Sequence, residues 1–190
     1  MEVERSSLGI SVTQQKYVID LLYETRMIGC KLVDTLMDPN TKLGAQTNRI
    51  KVDTGRYQHL VGKLIYLAHT RPDISFVVSV VSQFLNNLAE EHMDAVYLIL
   101  RYIKGTPGKG LMFKKYFHNG LKIYADANWA SSLTDQRSTS GYCSYIWGNL
   151  VSWRNKKHQV VARSSAEEKF RALVDGICEG MWLKRLLDEL

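Results

Sequence analysis

Between residues 13 and 105 the apolar positions recur three and four apart, the spacing that lines one face of an α-helix. Tyr17, Val18, Leu21 and Leu22 mark one such face behind Thr13 as a cap, and Tyr57, Leu60, Val61, Leu64 and Ile65 mark a second. ISFVVSVVSQFL is valine-rich enough for a buried strand, but its length favours a buried helix, with Asp73 as the cap after the break at Thr70-Arg-Pro-Asp73. HMDAVYLILRYIK adds an amphipathic helix that Gly105-Thr-Pro-Gly108 stops. A short strand-like LGISV precedes the group. Residues 34 to 55, polar and carrying Pro39, Gly44 and Gly55, read as a long connection.

After Gly108 the period falls to two. GLMFKKY and LKIYAD alternate on either side of Asn119-Gly120, which predicts a hairpin, and SGYCSYIW and LVSWRN follow around Gly148-Asn149. VARSSAEEKFRAL then opens a helix that Ser165 can cap, with Glu168 returning a bond to the cap. Its inward stripe at helical spacing would run through Ala166, Lys169, Phe170, Leu173 and Ile177, so a lysine falls among core positions. MWLKRLLDEL reads as a second short helix. The order is helical over 1–107, then strands and helices over 108–190.

A chain of 190 residues that is 45% hydrophobic can bury a real core, which argues against disorder. Lys and Arg outnumber Asp and Glu by 25 to 19, and the net charge of +6 favours anionic partners. The excess is concentrated. Arg101 to Lys122 holds six basic residues and no acid, among them Arg101, Lys104, Lys109, Lys114 and Lys115; Val151 to Arg163 holds four, including Arg154, Lys156 and Lys157. Each run suits a phosphate backbone or a solvated basic surface equally well. Cys30, Cys143 and Cys178 are an odd, scattered set without metal-ligand spacing, which predicts reduced thiols and an intracellular protein, cytoplasmic or nuclear. No stretch approaches the roughly 20 apolar residues of a membrane span, and the amino terminus lacks the apolar core of a secretory signal. His59, His69, His92, His118 and His158 lack the i, i+4 pairing of a helical zinc site and read as surface or capping residues.

Asp126 ends the predicted strand LKIYAD. Alone it would read as a turn former. A strand-end carboxylate, antiparallel strands and then a helix with acids in its first turn is also the layout by which ribonuclease H-like enzymes gather carboxylates around magnesium, because hydrolysing a phosphodiester with two hard cations needs several oxygen ligands. YADANWASS, DQRSTSGYCSYIWGNLVSW and ARSSAEEKFRAL resemble the ribonuclease H domain of copia-type LTR retrotransposon Pol polyproteins. QQKYVIDLLYET, YQHLVGKLIYLAHTRPDISF and ILRYIKGTPGKGL resemble the thumb and connection segments that follow the polymerase palm in the same proteins.

The resemblance implies an α+β fold: a helical thumb and connection over 1–107, then an incomplete ribonuclease H-like α/β domain of three antiparallel strands and helices over 108–190. It implies two activities in intact relatives, RNA-directed DNA synthesis and Mg²⁺-dependent cleavage of RNA in RNA–DNA hybrids. Asp126 matches the first catalytic aspartate and Mg²⁺ ligand, while Asn128 replaces a second acid. The family helix reads Ser-Ser-Ala-Glu-Ala-Glu-Tyr; its metal-binding second glutamate is Lys169 here, Glu167 matches the first glutamate, and Glu168 stands where alanine is usual. The remaining ribonuclease H acids are expected beyond Leu190, and the paired polymerase aspartates upstream of Met1. Asp126 is then vestigial, a weak and incomplete metal site, and Mg²⁺ is expected to have no functional role. The basic residues of both runs would contact an RNA–DNA hybrid or other nucleic acid, and the rest of a Pol polyprotein is the other implied partner. A retained non-catalytic module for binding nucleic acid or protein is the alternative.

Overall fold

The computed structural model describes residues 1–37, 43, 53–86, 88–115, 120–132 and 135–189. They form two compact units, one of residues 1–4 and 11–111, the other of residues 5–10 and 112–190. Most of the 34–55 connection, and Asn119 of the expected hairpin turn, lie outside the described residues. The elements in order are β1 (Glu2–Ser6), β2 (Gly9–Thr13), α1 (Gln15–Glu24), α2 (Thr54–Ala68), α3 (Pro72–Ser82), α4 (Glu90–Gly105), β3 (Leu111–Phe113), β4 (Leu121–Asn128), β5 (Thr139–Ile146), β6 (Asn149–Lys157) and α5 (Ser165–Asp188). Two three-stranded antiparallel sheets result, ordered β1-β2-β3 and β4-β5-β6. The chain is thus mixed α and β. The hairpin expected around Asn119-Gly120 is not formed, because β3 joins β2 and β4 pairs with β5. Alternation marks a strand but cannot name a partner distant in sequence.

In the helical unit the apolar faces of α1 to α4 meet in one core that includes Val18, Leu21, Tyr57, Leu60, Val61 and Leu64. Tyr57 is fully buried, and its hydroxyl donates to the Val81 carbonyl at 2.7 Å while burial pushes the phenol's pKa upward. Ile65, expected on the same face, is 42% exposed, and Leu67 takes the buried place. Two expected caps are also displaced. Thr13 ends β2 and the residue before α1 is the buried Gln14; Arg71 precedes α3, with Pro72 at its first position and Asp73 inside the first turn.

That arrangement frees Asp73 for a clamp. Arg71, 1% exposed at its side chain, donates from Nε and Nη2 to the two Asp73 carboxylate oxygens, each at 2.9 Å. Its remaining N–H groups reach Thr106, the carbonyl from Nη1 and Oγ1 from Nη2, both at 2.8 Å. Tyr102 donates to Asp73 at 3.0 Å, and Lys109 lies 3.2 Å away. Burial alone would raise the Asp73 pKa, but the Arg71 guanidinium and the other donors hold it at about 2. The start of α3 is thereby fastened to the end of α4.

In the second unit α5 lies across the sheet. It is one continuous helix of 24 residues, not the two expected. Glycines inside a helix usually weaken it, but Gly176 and Gly180 are where it touches β4. A Cβ on Gly176 would sit 3.3 Å from the Ala125 Cβ, and one on Gly180 only 2.4 Å from Ile123 Cδ1. The side turned to the sheet is therefore Glu168, Ala172, Gly176, Gly180 and Leu183. The expected inward stripe is wrong: Ala166 and Lys169 are exposed, and Phe170, Leu173 and Ile177 are 68%, 51% and 51% exposed. Close approach selected small residues, which a search for apolar ones passes over.

Candidate nucleic-acid and metal site

Successive strand residues point to opposite faces of a sheet, and β4 makes the consequence concrete. Ile123 and Ala125 meet α5 at its glycines, so Asp126, with Tyr124 and Lys122, belongs to the face turned away from the helix. Asp126 is exposed, and its cross-strand partner is Gly141, over which the Asn155 side chain lies, 2.7 Å from where a Cβ would be. Lys169 is also exposed, on the helix that covers the other face.

The first turn of α5 shows where the acids went. Ser164, not Ser165, is the cap, and its hydroxyl accepts from the Glu167 N–H at 3.1 Å. Glu167 returns the bond one residue further out, accepting from the Arg163 N–H at 2.8 Å, and it also pairs with Arg171 at 2.6 Å. The Arg163 N–H bond and Arg171 hold the Glu167 carboxyl below its usual range. This register turns Glu168 inward. It has no exposed surface, and His158 Nε2 lies 3.0 Å from its Oε1. The same nitrogen is 2.7 Å from Ser140 Oγ. One imidazole nitrogen carries at most one proton, so it cannot donate to both neighbours, and neither oxygen of Glu168 has a well-formed hydrogen bond. Asp126, Glu167 and Glu168 therefore do not converge. Among the described residues no three His, Cys, Asp or Glu side chains form a group that could hold a metal ion, and this donor set does not fit Mg²⁺, which needs oxygen ligands around one point.

The basic candidates divide between the units. Arg101 is exposed on α4, Lys104 donates to the Cys30 carbonyl, and Lys109 is engaged by Asp73. In the other unit Lys114, Lys115, Arg154 and Lys156 are exposed, whereas Lys157 is held by Asp135 at 3.1 Å and Ser132 at 2.9 Å. Arg154 and Lys156 lie opposite Tyr142 and Ser140, on the α5 side of the sheet; Lys157 points to the other side. No helix among the described residues is long and apolar enough to cross a membrane.

The chain is 41% identical over its whole length to the retrovirus-related Pol polyprotein from transposon RE1 of Arabidopsis thaliana, and 37% identical to that from transposon RE2 of the same plant. The chain belongs to the copia-type retrotransposon Pol family. It spans 13% of the length of each of those two polyproteins. An uncharacterized mitochondrial protein of Arabidopsis thaliana, 32% identical over 96% of this Pol chain, is covered over 75% of its own length. No family model matches the chain, and no solved structure does.

Two features of this Pol chain escape a reading by residue type. His158 is an isolated histidine in sequence that becomes the neighbour of a buried acid, and Arg71 gives no signal beyond standing two residues before Asp73. His92 does behave as a capping residue, its Nδ1 accepting from the Ala89 N–H at 2.9 Å. The Glu168 environment yields an expected result. Glu168→Gln keeps the side-chain shape and replaces a buried carboxyl whose oxygens lack well-formed hydrogen bonds, so it should raise stability by about 1–3 kcal/mol in urea denaturation followed by circular dichroism. A loss of stability instead would mean that the carboxylate is well paired with His158.

Proposed function

We propose that this chain is a catalytically inactive segment of a copia-type Pol polyprotein, with residues 1–107 derived from the reverse transcriptase thumb and connection and residues 108–190 from a ribonuclease H-like domain. The family activities are RNA-directed DNA synthesis and cleavage of RNA in RNA–DNA hybrids. The observation that carries the reading is the register of α5, which turns Glu168 into the core and Lys169 to solvent while Asp126 belongs to the opposite face of the sheet. A carboxylate is missing where the family holds metal, and the neighbouring acids are turned elsewhere.

A second reading, a retained nucleic-acid binder, is favoured by the exposed Lys114, Lys115, Arg154 and Lys156. One primer–template assay serves both. With an RNA template, a DNA primer and Mg²⁺ or Mn²⁺, no extension is expected, and template-dependent product would overturn the inactive assignment. Retention of the hybrid that falls linearly in log K against log salt would select the binder, because such a slope counts the phosphate counterions released. Absence of a saturable complex would leave the inactive segment alone.

A further inference from the structure

Cross-strand partners share a face of a sheet, so Ile123 and Ala125, which meet α5, bring to the helix side Ser144 and Tyr142 of β5 and Ser152 and Arg154 of β6. The β5 and β6 part of that surface is polar. Ser144 is fully buried, and its hydroxyl has no well-formed hydrogen bond. The helix meets this surface with two acids. Glu168 and Glu179 stand about three turns apart and therefore occupy the same flank of α5. Glu168, buried beside His158, has no well-formed hydrogen bond. Glu179 has two: the Tyr142 hydroxyl donates to its Oε2 at 3.0 Å, and the Ser152 hydroxyl donates to its Oε1 at 2.8 Å. Burial, and then the bond to Glu179, raises the Tyr142 pKa and keeps the phenol a donor.

Gly176 and Gly180 fix how near α5 comes to β4, but glycines present no side chain that resists rolling. By helical geometry Glu179 lies roughly 60° from Gly176 and 100° from Gly180, toward β5 and β6, while Leu173 and Ile177 lie on the other flank. A roll that brought Leu173 and Ile177 down to the sheet would lift Glu179 off both hydroxyls. We propose that Glu179 is the positioning residue that sets the rotation of α5, its carboxyl group bracing the helix against β5 and β6 through the Tyr142 and Ser152 hydroxyls. The consequence for chemistry rests on the inactive reading, because the same rotation buries Glu168 and leaves Lys169 exposed.

The test uses the full chain with Cys30, Cys143 and Cys178 changed to serine and one cysteine returned to α5, at Leu183, 4% exposed, or Ile177, 51% exposed. Thiol-labelling rates read the rotation: Leu183→Cys should react about a hundredfold or more slower than Ile177→Cys, because a buried thiol waits for local opening. Glu179→Met keeps the side-chain length and removes both acceptors. It should shrink that ratio about tenfold or more, Leu183→Cys quickening while Ile177→Cys slows. Glu179→Gln keeps an acceptor and should stay within about threefold of the native ratio. Far-ultraviolet circular dichroism checks that α5 remains helical. If Glu179→Met does not fold, Tyr142→Phe with Ser152→Ala removes the two donors instead and should shrink the ratio in the same way. A ratio unchanged to within about threefold would overturn the role of Glu179. Quickening at Leu183→Cys without slowing at Ile177→Cys would overturn it as well, since Glu179 would then hold α5 down without setting its rotation. Equal rates in the chain that retains Glu179 would overturn the rotation itself and the inactive reading with it.

Discussion

Asp73→Asn is expected to cost the helical unit about 3–5 kcal/mol, the usual penalty for removing one partner of a buried ion pair. Arg71 is almost wholly enclosed, and with a neutral amide beside it only Thr106 and weaker contacts would compensate its charge. Urea denaturation followed by far-ultraviolet circular dichroism measures the loss, and a change below about 1 kcal/mol would show that the clamp contributes little. The same site sets an acid limit. The Asp73 carboxyl falls from its ordinary 3.8 to about 2 on folding, so its contribution is fully present above pH 4 and is lost as pH falls toward 2. The shift corresponds to roughly 2 kcal/mol. Asp73→Asn should accordingly flatten the stability curve between those limits.

Purified chain is expected to leave an RNA–DNA hybrid uncut with Mg²⁺ or Mn²⁺, and Lys169→Glu alone is expected to leave it uncut as well. A restored glutamate at position 169 would point to solvent on the helix above one face of the sheet, while Asp126 occupies the other. Two carboxylates so placed cannot share a cation whose ligands sit about 2 Å away. Cleavage by the native chain that disappears in Asp126→Asn would sink the inactive assignment, because Glu167 or Glu168 would then have to serve as a ligand. Cleavage gained by Lys169→Glu would show that α5 can turn in its seat.

Legibility of the fold follows the physics of each element. α2 was readable because Tyr57, Leu60, Val61 and Leu64 repeat at helical spacing and all are buried. β5 and β6 were readable because Gly148-Asn149 joins two alternating runs that pair locally. β3 misled because its partner, β2, lies about a hundred residues away in sequence, and nothing in LMF favours β2 over β4. α5 misled for a different reason. Its contact with the sheet is made by glycine and alanine, whose value is closeness, and its buried acid is tolerated beside a histidine outside the helix. The candidate residues Asp126 and Lys169 were identifiable from their place in the motifs, but the face each occupies depends on strand parity and helix rotation, and a misjudged rotation moved the lysine inside.

The outward stripe of α5, from Phe170 to Trp182, also bears on how long the chain would survive in a cell. Its exposed side chains include Phe170 at 68%, Val174 at 56%, Met181 at 54% and Trp182 at 57%. Chains that open transiently are continuously triaged by chaperones and proteases, and an uncovered apolar helix face adds to what those factors can grip. The abundance of such a chain would be set by its clearance as much as by its synthesis.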